Sequence, residues 1–246
     1  YYEKQYVKFN SVENILNFRK GQLLSKGCDD SDKYASFLDL YNYINDWNLD
    51  HDFLINNLSK VNVGNNDTSY KFLNYYFDYA ELVHLKFFSH IKNKLNNKIN
   101  LICEIGGGFG SLSRILINNL NSKYILIDLP EANLISSFFL KSHFPNKKFF
   151  LYEDFNNLKN DLNNKISEEC IRENDIFILP PWAIDSFSKE IKINFFVNTY
   201  SFMEMRKPII KKYFEFIHNH SEIGSYFLNV NRYQKDTSGE PIKFSE

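Results

Sequence analysis

Four of the nine glycines in this 246-residue chain crowd into five positions, inside Cys103-Glu104-Ile105-Gly106-Gly107-Gly108-Phe109-Gly110-Ser111. Glycine has no Cβ, so a run of it lets the backbone turn sharply and come close to a ligand. Before it stands a run of strand length, Leu101–Ile105, apolar except for Glu104. After it, Leu112, Ile115, Leu116 and Leu120 recur at helical spacing. A strand, a glycine turn and a helix in that order bring the free N–H groups of a helix start to the turn, where polar or anionic ligands bind. The plainer alternative is a tight turn without a ligand, and the alternation that follows argues against it.

From residue 97 onward, short β-rich runs alternate with amphipathic segments. Tyr124–Ile127 reads as a second strand ending in Asp128, followed by a helix from Glu131 to His143. Phe149–Tyr152 and Ile176–Leu179 compete for the third strand. Phe195–Asn198 is the fourth, Ile209–Ile217 a helix, and Tyr226–Val230 the fifth strand. The runs are mostly apolar without alternation, as in strands buried on both faces. Strands separated by helices imply βαβ units, hence an α/β, Rossmann-like, mostly parallel sheet with helices on both faces.

The first 96 residues read differently. Val12–Phe18 and Phe37–Ile44 suit short helices, and Val61–Thr68 suits a loop. Phe72, Tyr76, Ala80, Val83, Phe87, Ile91 and Leu95 line one face of a predicted long helix. The expected organisation is therefore a helical cap over 1–96 and a ligand-binding sheet domain over 97–246. The sequence ends soon after the fifth strand, so the closing strands of such a sheet are expected to be short or absent.

Composition narrows the function classes. Lys and Arg number 29 against 30 Asp and Glu, for a net charge of -1, which does not suit a general binder of nucleic-acid phosphates. No apolar run reaches the 18 or so residues of a membrane span. Cys28, Cys103 and Cys170 are far apart and odd in number, so they suggest neither a disulfide framework nor a metal site. A cytoplasmic setting is expected on that ground.

Two ligand patterns compete for the glycine turn. Dinucleotide enzymes require Gly-x-Gly-x-x-Gly, and that register gives Gly106, Gly108 and Ser111, with serine in the third place. An acidic residue, a spacer and Gly-x-Gly-x-Gly fit without exception: Glu104, Gly106, Gly108 and Gly110. Asp128 lies 24 positions after Glu104, at a strand end where a carboxylate accepts ribose hydroxyls. In this form the sequence resembles the class I S-adenosylmethionine-dependent methyltransferases.

Asp128-Leu129-Pro130, the Leu179-Pro180-Pro181-Trp182 run, Asn198-Thr199-Tyr200-Ser201-Phe202-Met203-Glu204-Met205 and Phe227–Tyr233 are similar to bacterial sugar O-methyltransferases found among capsule and surface-polysaccharide genes. The likeness covers roughly residues 98–233. It implies S-adenosyl-L-methionine as cofactor, held by Glu104, Gly106, Gly107, Gly108, Gly110, Asp128, Leu129, Leu179, Pro180 and Asn198. Leu129 would wall the adenine on one side; the other wall would come from the third strand's end, either Glu153-Asp154-Phe155 or, favoured by its stronger β run, Leu179-Pro180-Pro181-Trp182. The implied acceptor is a sugar, nucleotide-sugar or polysaccharide.

A sugar hydroxyl needs a base at neutral pH. Glu204, at the carboxyl edge of the sheet, is the leading candidate; Ser201-x-x-Glu204 also fits a capping box that merely starts a helix. Pro208 argues that the main helix starts later. His84 is the second candidate, and His90 shares its helix. His218 and His220 read as structural, and nothing in the spacing of Asp154, Asp175 or Asp185 marks a metal site. Arg206 to Lys212 forms a small basic run, either a solvated helix face or an anion contact. The competing functions are an NAD-dependent oxidoreductase and a non-catalytic Rossmann-like subunit acting through protein contacts.

Overall fold

The computed structural model describes residues 11–20, 51–66, 69–72, 74–95, 98–158, 165–231, 234–235 and 242–243. In chain order come helices α1 (Val12–Leu16) and α2 (His51–Asn57), strands β1 (Tyr70–Phe72) and β2 (Tyr75–Phe77), and α3 (Tyr79–Lys92). Then follow β3 (Leu101–Ile105), α4 (Ser111–Leu120), β4 (Lys123–Ile127), α5 (Pro130–His143), β5 (Phe149–Phe150), α6 (Tyr152–Leu158) and α7 (Glu168–Glu173). The remainder is β6 (Ile176–Leu179), β7 (Phe195–Thr199), α8 (Lys207–His220), β8 (Tyr226–Val230), β9 (Gln234–Lys235) and β10 (Ile242–Lys243). Backbone proximity divides the chain into two compact units. One comprises Tyr1–Asn96, Phe109–Asn119 and Phe138–Pro145; the other comprises Asn97–Gly108, Leu120–Ser137 and Asn146–Glu246.

The second unit is built on a six-stranded sheet in the order β5-β6-β4-β3-β7-β8, with every pairing parallel. Both segments that compete for the third strand are strands: β6 pairs with β4, and β5 adds a short edge beyond it. Every residue of β3, β6 and β7 is buried, which explains why they are apolar but for Glu104, Asn198 and Thr199. On one face Cys103, Ile105, Ile125, Phe177 and Phe196 pack in a core with Tyr213, Phe216 and Ile217 of α8. The chain leaves β3 toward β4 on one side and later enters β7 on the other. The strand order therefore reverses between β3 and β7, and ligands of open parallel sheets collect at the carboxyl ends of strands flanking such a point.

The first unit departs from the predicted helix that began at Phe72. Tyr70–Phe72 and Tyr75–Phe77 instead pair as antiparallel strands, and the helix starts at Tyr79. Asp78 decides the boundary: its extended backbone is the N-cap, and Oδ1 accepts the Glu81 N–H at 2.9 Å. Aromatic β formers at Tyr75 and Tyr76 then pair as a strand, and Tyr76 N–H also donates to Ser59 O at 2.7 Å. The Val12–Phe18 helix is shorter than expected, capped by Ser11 and ending at Leu16. Residues 61–66 form a loop, as expected, while Phe37–Ile44 and Cys28 lie outside the described residues.

Side-chain chemistry shows why 109–119 and 138–145 belong with the N-terminal residues. Phe18 is fully buried, its ring 5.7, 6.4 and 6.3 Å from those of Phe109, Phe138 and Phe139. Arg19 pairs with Asp78 and lies 5.0 Å over the Phe109 ring. Arg114 donates to Glu81 at 3.3 Å, and Asn66 Nδ2 donates to Asp78 at 2.7 Å. Burial pushes the Glu81 carboxyl up and the Arg114 guanidinium down from their usual ranges, as charges out of water require partners.

Asp78 therefore neutralises Arg19, caps α3 and holds Asn66. Asp78→Ala should cost about 3–5 kcal/mol of unfolding free energy, because it strands a buried guanidinium. Asp78→Asn, which keeps the cap, should cost less. Urea denaturation of the three proteins decides; equal midpoints would remove Asp78 from that role.

Candidate functional site

The turn after β3 is shaped by three glycines with separate reasons to lack a side chain. Gly106 has φ +77°, and a Cβ there would overlap Ser201 Oγ. Its N–H donates to Ile127 O at 2.7 Å, tying the turn to the end of β4. A Cβ on Gly107 would lie 2.9 Å from both Glu104 Oε2 and Leu126 Cδ1. Gly108 differs: its φ is +57°, and no heavy atom lies within 4 Å of where its Cβ would be. Packing demands the first two glycines, and open space surrounds the third. At Gly110, a Cβ would meet Leu140 at 3.1 Å.

Asp128 bonds to that open glycine. Its Oδ2 accepts the Gly108 N–H at 2.7 Å, while Oδ1 accepts the N–H of Leu129, also at 2.7 Å. Its own N–H donates to Leu179 O at 3.2 Å, joining the ends of β4 and β6. Desolvation raises the carboxyl to about 6, outweighing the two N–H bonds that favour its charge. The nearby charges of Glu204 and Glu131 push the same way. Each carboxylate oxygen can still accept a further hydrogen bond.

Two residues expected to touch the cofactor, Glu104 and Asn198, make framework contacts within the protein. Glu104 is 1% exposed and accepts the Tyr124 hydroxyl at 2.6 Å, so it braces Gly107 from below. Asn198 is fully buried. Its amide donates to Ile105 O at 2.8 Å and Ser201 Oγ at 2.6 Å, and its oxygen accepts from Phe202 N and Asn231 Nδ2. All four of its hydrogen-bonding capacities are thereby used within the protein. Leu179 and Pro180 are also buried. The exposed apolar groups at these strand ends are Leu129, at 40%, and Trp182, at 44%, whose ring meets Tyr152 edge-on at 6.4 Å.

Glu204 ends a 3-10 turn, Phe202–Glu204, and is exposed. The capping-box alternative does not form: Ser201 makes no side-chain cap, and its hydroxyl donates to Ile105 O at 3.0 Å. The main helix begins at Lys207 with Pro208 in its first turn, as proline's fixed φ favours. Tyr200 carried no warning in the sequence. It holds φ +62°, unusual for a bulky residue, donates its N–H to Val230 O at 2.7 Å and is 42% exposed. Tyr124 and Asn231, which complete the buried framework, were likewise not singled out.

His84 belongs to the first unit. Its Nδ1 is 3.0 Å from Ser111 Oγ, and burial lowers its pKa to about 4, so it is neutral at pH 7. Among the described residues, no three His, Cys, Asp or Glu side chains group as a metal site, and no helix is long and apolar enough to cross a membrane.

No family profile and no curated protein matches the chain. Solved structures with partial likeness include the glycopeptide N-methyltransferase MtfA complexed with (S)-adenosyl-L-methionine, at 12% identity and TM-score 0.35, covering 56% of this chain and 47% of that one. The mitomycin 7-O-methyltransferase MmcR matches at 12% identity and TM-score 0.34, over 59% and 37% of the two chains. Coclaurine N-methyltransferase bound to N-methylheliamine and SAH matches at 13% and 0.36, over 88% and 50%. The chain spans half or less of the length of each of these three structures.

The raised Asp128 pKa has a definite sign. Between pH 4 and 6 the folded state holds this proton more tightly than the unfolded state. The stability it contributes is thus full below about pH 4 and is lost as pH rises through about 6. Comparing urea midpoints of wild type and Asp128→Asn, the difference should move in favour of Asn across that window. A pH-independent difference would contradict the assignment.

Proposed function

We propose that the protein transfers a methyl group from S-adenosylmethionine to a hydroxyl of a sugar or sugar-containing metabolite. The observation that carries this reading is the Asp128 carboxylate bonded to Gly108 N–H beside open space. An adenosyl group needs a carboxylate for its ribose hydroxyls, a side-chain-free backbone close by, and apolar walls for adenine. Asp128, Gly108, Leu129 and Trp182 meet those needs, with the last two exposed at neighbouring strand ends. A sugar acceptor is favoured by the resemblance of the Asn198–Met205 and Phe227–Tyr233 segments, and a role in surface-polysaccharide assembly follows from the same resemblance.

Bound S-adenosylmethionine supplies an electrophilic methyl carbon on a sulfonium. The protein's part is to align the acceptor oxygen behind that carbon, which lowers the entropic part of the barrier. With the cofactor bound, Glu204 would take the proton of the acceptor's hydroxyl. It is exposed at the end of its 3-10 turn, and its charge is near enough to raise Asp128. His84 has the protonation state of a base, but its Nδ1 is already engaged by Ser111. Asn198 and Glu104 hold the turn rigid beneath the ligand.

Calorimetry with S-adenosylhomocysteine tests the cofactor. Affinity should fall by up to about tenfold per pH unit below 6, because only ionised Asp128 accepts both ribose hydroxyls. Asp128→Ala should weaken binding about 10- to 100-fold and remove that dependence. NAD binding without a response to S-adenosylhomocysteine would replace this reading with a dehydrogenase.

Turnover on a sugar panel tests the chemistry. Glu204→Gln should slow transfer about 100-fold or more with cofactor affinity unchanged. An unaltered rate would remove Glu204 as the base. Cofactor binding without turnover on any sugar would favour the non-catalytic subunit.

A further inference from the structure

A cavity of about 530 Å³ in the second unit lies at a different edge of the sheet from Asp128. One of its walls is His220, at the end of α8, 5% exposed. His220 O accepts the Ile193 N–H at 2.8 Å, which places this residue where the chain enters the amino ends of β7 and β8. Asp128 lies at the carboxyl end of β4. The ring's Nδ1 is 2.9 Å from Ile191 O, and a carbonyl only accepts, so Nδ1 carries a hydrogen. Burial lowers the imidazole's pKa and keeps it neutral. Nε2 is then a lone-pair acceptor, and among the described residues no donor meets it. An acceptor on a cavity wall can take a hydrogen bond from a donor outside the chain.

The rest of the lining describes that donor's owner. Phe187 and Phe216 are buried beside the imidazole, with ring centroids 5.9 and 4.7 Å from it, and supply an apolar floor. Lys212 is neutralised by Asp185 at 2.6 Å. Lys192 Nζ donates to the neutral carbonyl Asn219 O at 3.0 Å, and Lys189 is exposed at the rim. Against those two cations stands the carboxylate of Glu215. The cavity thus offers an apolar floor, one imidazole acceptor, and a rim with one net positive charge.

We propose that this cavity is a second binding site, for an acidic sugar: a ring hydroxyl donates to His220 Nε2, while a carboxylate or phosphate on the same sugar meets Lys189 and Lys192. In a glycan-modifying enzyme such a site would hold a neighbouring residue of an acidic chain. Its existence does not depend on the methyl-transfer reading, because its ligand is bound without cofactor.

The test is side-chain nitrogen NMR of the histidines during titration with glucuronate, with glucose 1-phosphate and with glucose. Both anionic sugars should shift His220 Nε2 saturably, and glucose should bind about tenfold more weakly. Lys189→Glu, a surface change that leaves the core intact, should weaken both anions about tenfold. A shift with only one anion keeps the site and identifies carboxylate or phosphate as its partner. No shift with either anion, equal binding of glucose, or indifference to Lys189→Glu would overturn the proposal. Failure of S-adenosylhomocysteine to bind, with the His220 shifts intact, would count against the methyl-transfer reading alone.

Discussion

The bond from Gly108 N–H to Asp128 gives the second unit its chemical character. It joins the turn after β3 to the end of β4, and each partner limits the other. The glycine must adopt a left-handed φ with its amide outward, and the carboxylate must stay close to that amide despite partial burial. Desolvation opposes the charge while two backbone donors support it, and the balance leaves a carboxyl near neutrality. A group poised there can change its proton state when a ligand supplies further hydrogen bonds.

The support beneath this bond is polar, and its satisfied partners make it rigid. Tyr124 donates to Glu104, which presses on Gly107; Asn198 and Ser201 both donate to Ile105 O, at the last residue of β3. Buried polar groups are costly unless paired, and paired networks of this kind fix one geometry. The first unit is less complete. Arg19 and Arg114 each have a buried Nε without a partner, although each guanidinium faces a carboxylate. Such groups hold position by charge, at a cost in unmet hydrogen bonding.

Much of the sheet was legible because its strands announce themselves. Leu101–Ile105, Tyr124–Ile127, Ile176–Leu179, Phe195–Asn198 and Tyr226–Val230 are mostly apolar runs bounded by turn residues, and all are strands. Phe149–Tyr152 and Ile176–Leu179 seemed to be rivals only because neither pattern fixes the number of strands in a sheet. The strand pairing of 70–72 with 75–77 was hidden by a coincidence: Phe72 and Tyr76 are four residues apart, which fits a helix face as well as two strands. Glu104 and Asn198 show a different limit. Sequence spacing places a residue near a ligand, but it does not reveal whether its hydrogen bonds are already spent. The assignment of 109–119 to the first unit was also illegible, since the Arg114–Glu81 pair and the Arg19–Phe109 contact join distant segments with no local signature.

Tyr200 shows how such a turn holds strain. A left-handed φ on an aromatic residue costs on the order of 1–3 kcal/mol and persists only where the surroundings over-determine it. Here its N–H is held by Val230 O, one residue before it Thr199 closes β7, and one residue after it Ser201 reaches Ile105 O. The reversal brings Ser201 so close to Gly106 that no side chain fits there. Glycine at 106 and strain at 200 are thus two ends of one constraint: the chain after β7 must pass against the turn after β3. A bulkier residue at 106 would push Ser201 away, release the Tyr200 strain and part the two strand ends that flank the crevice.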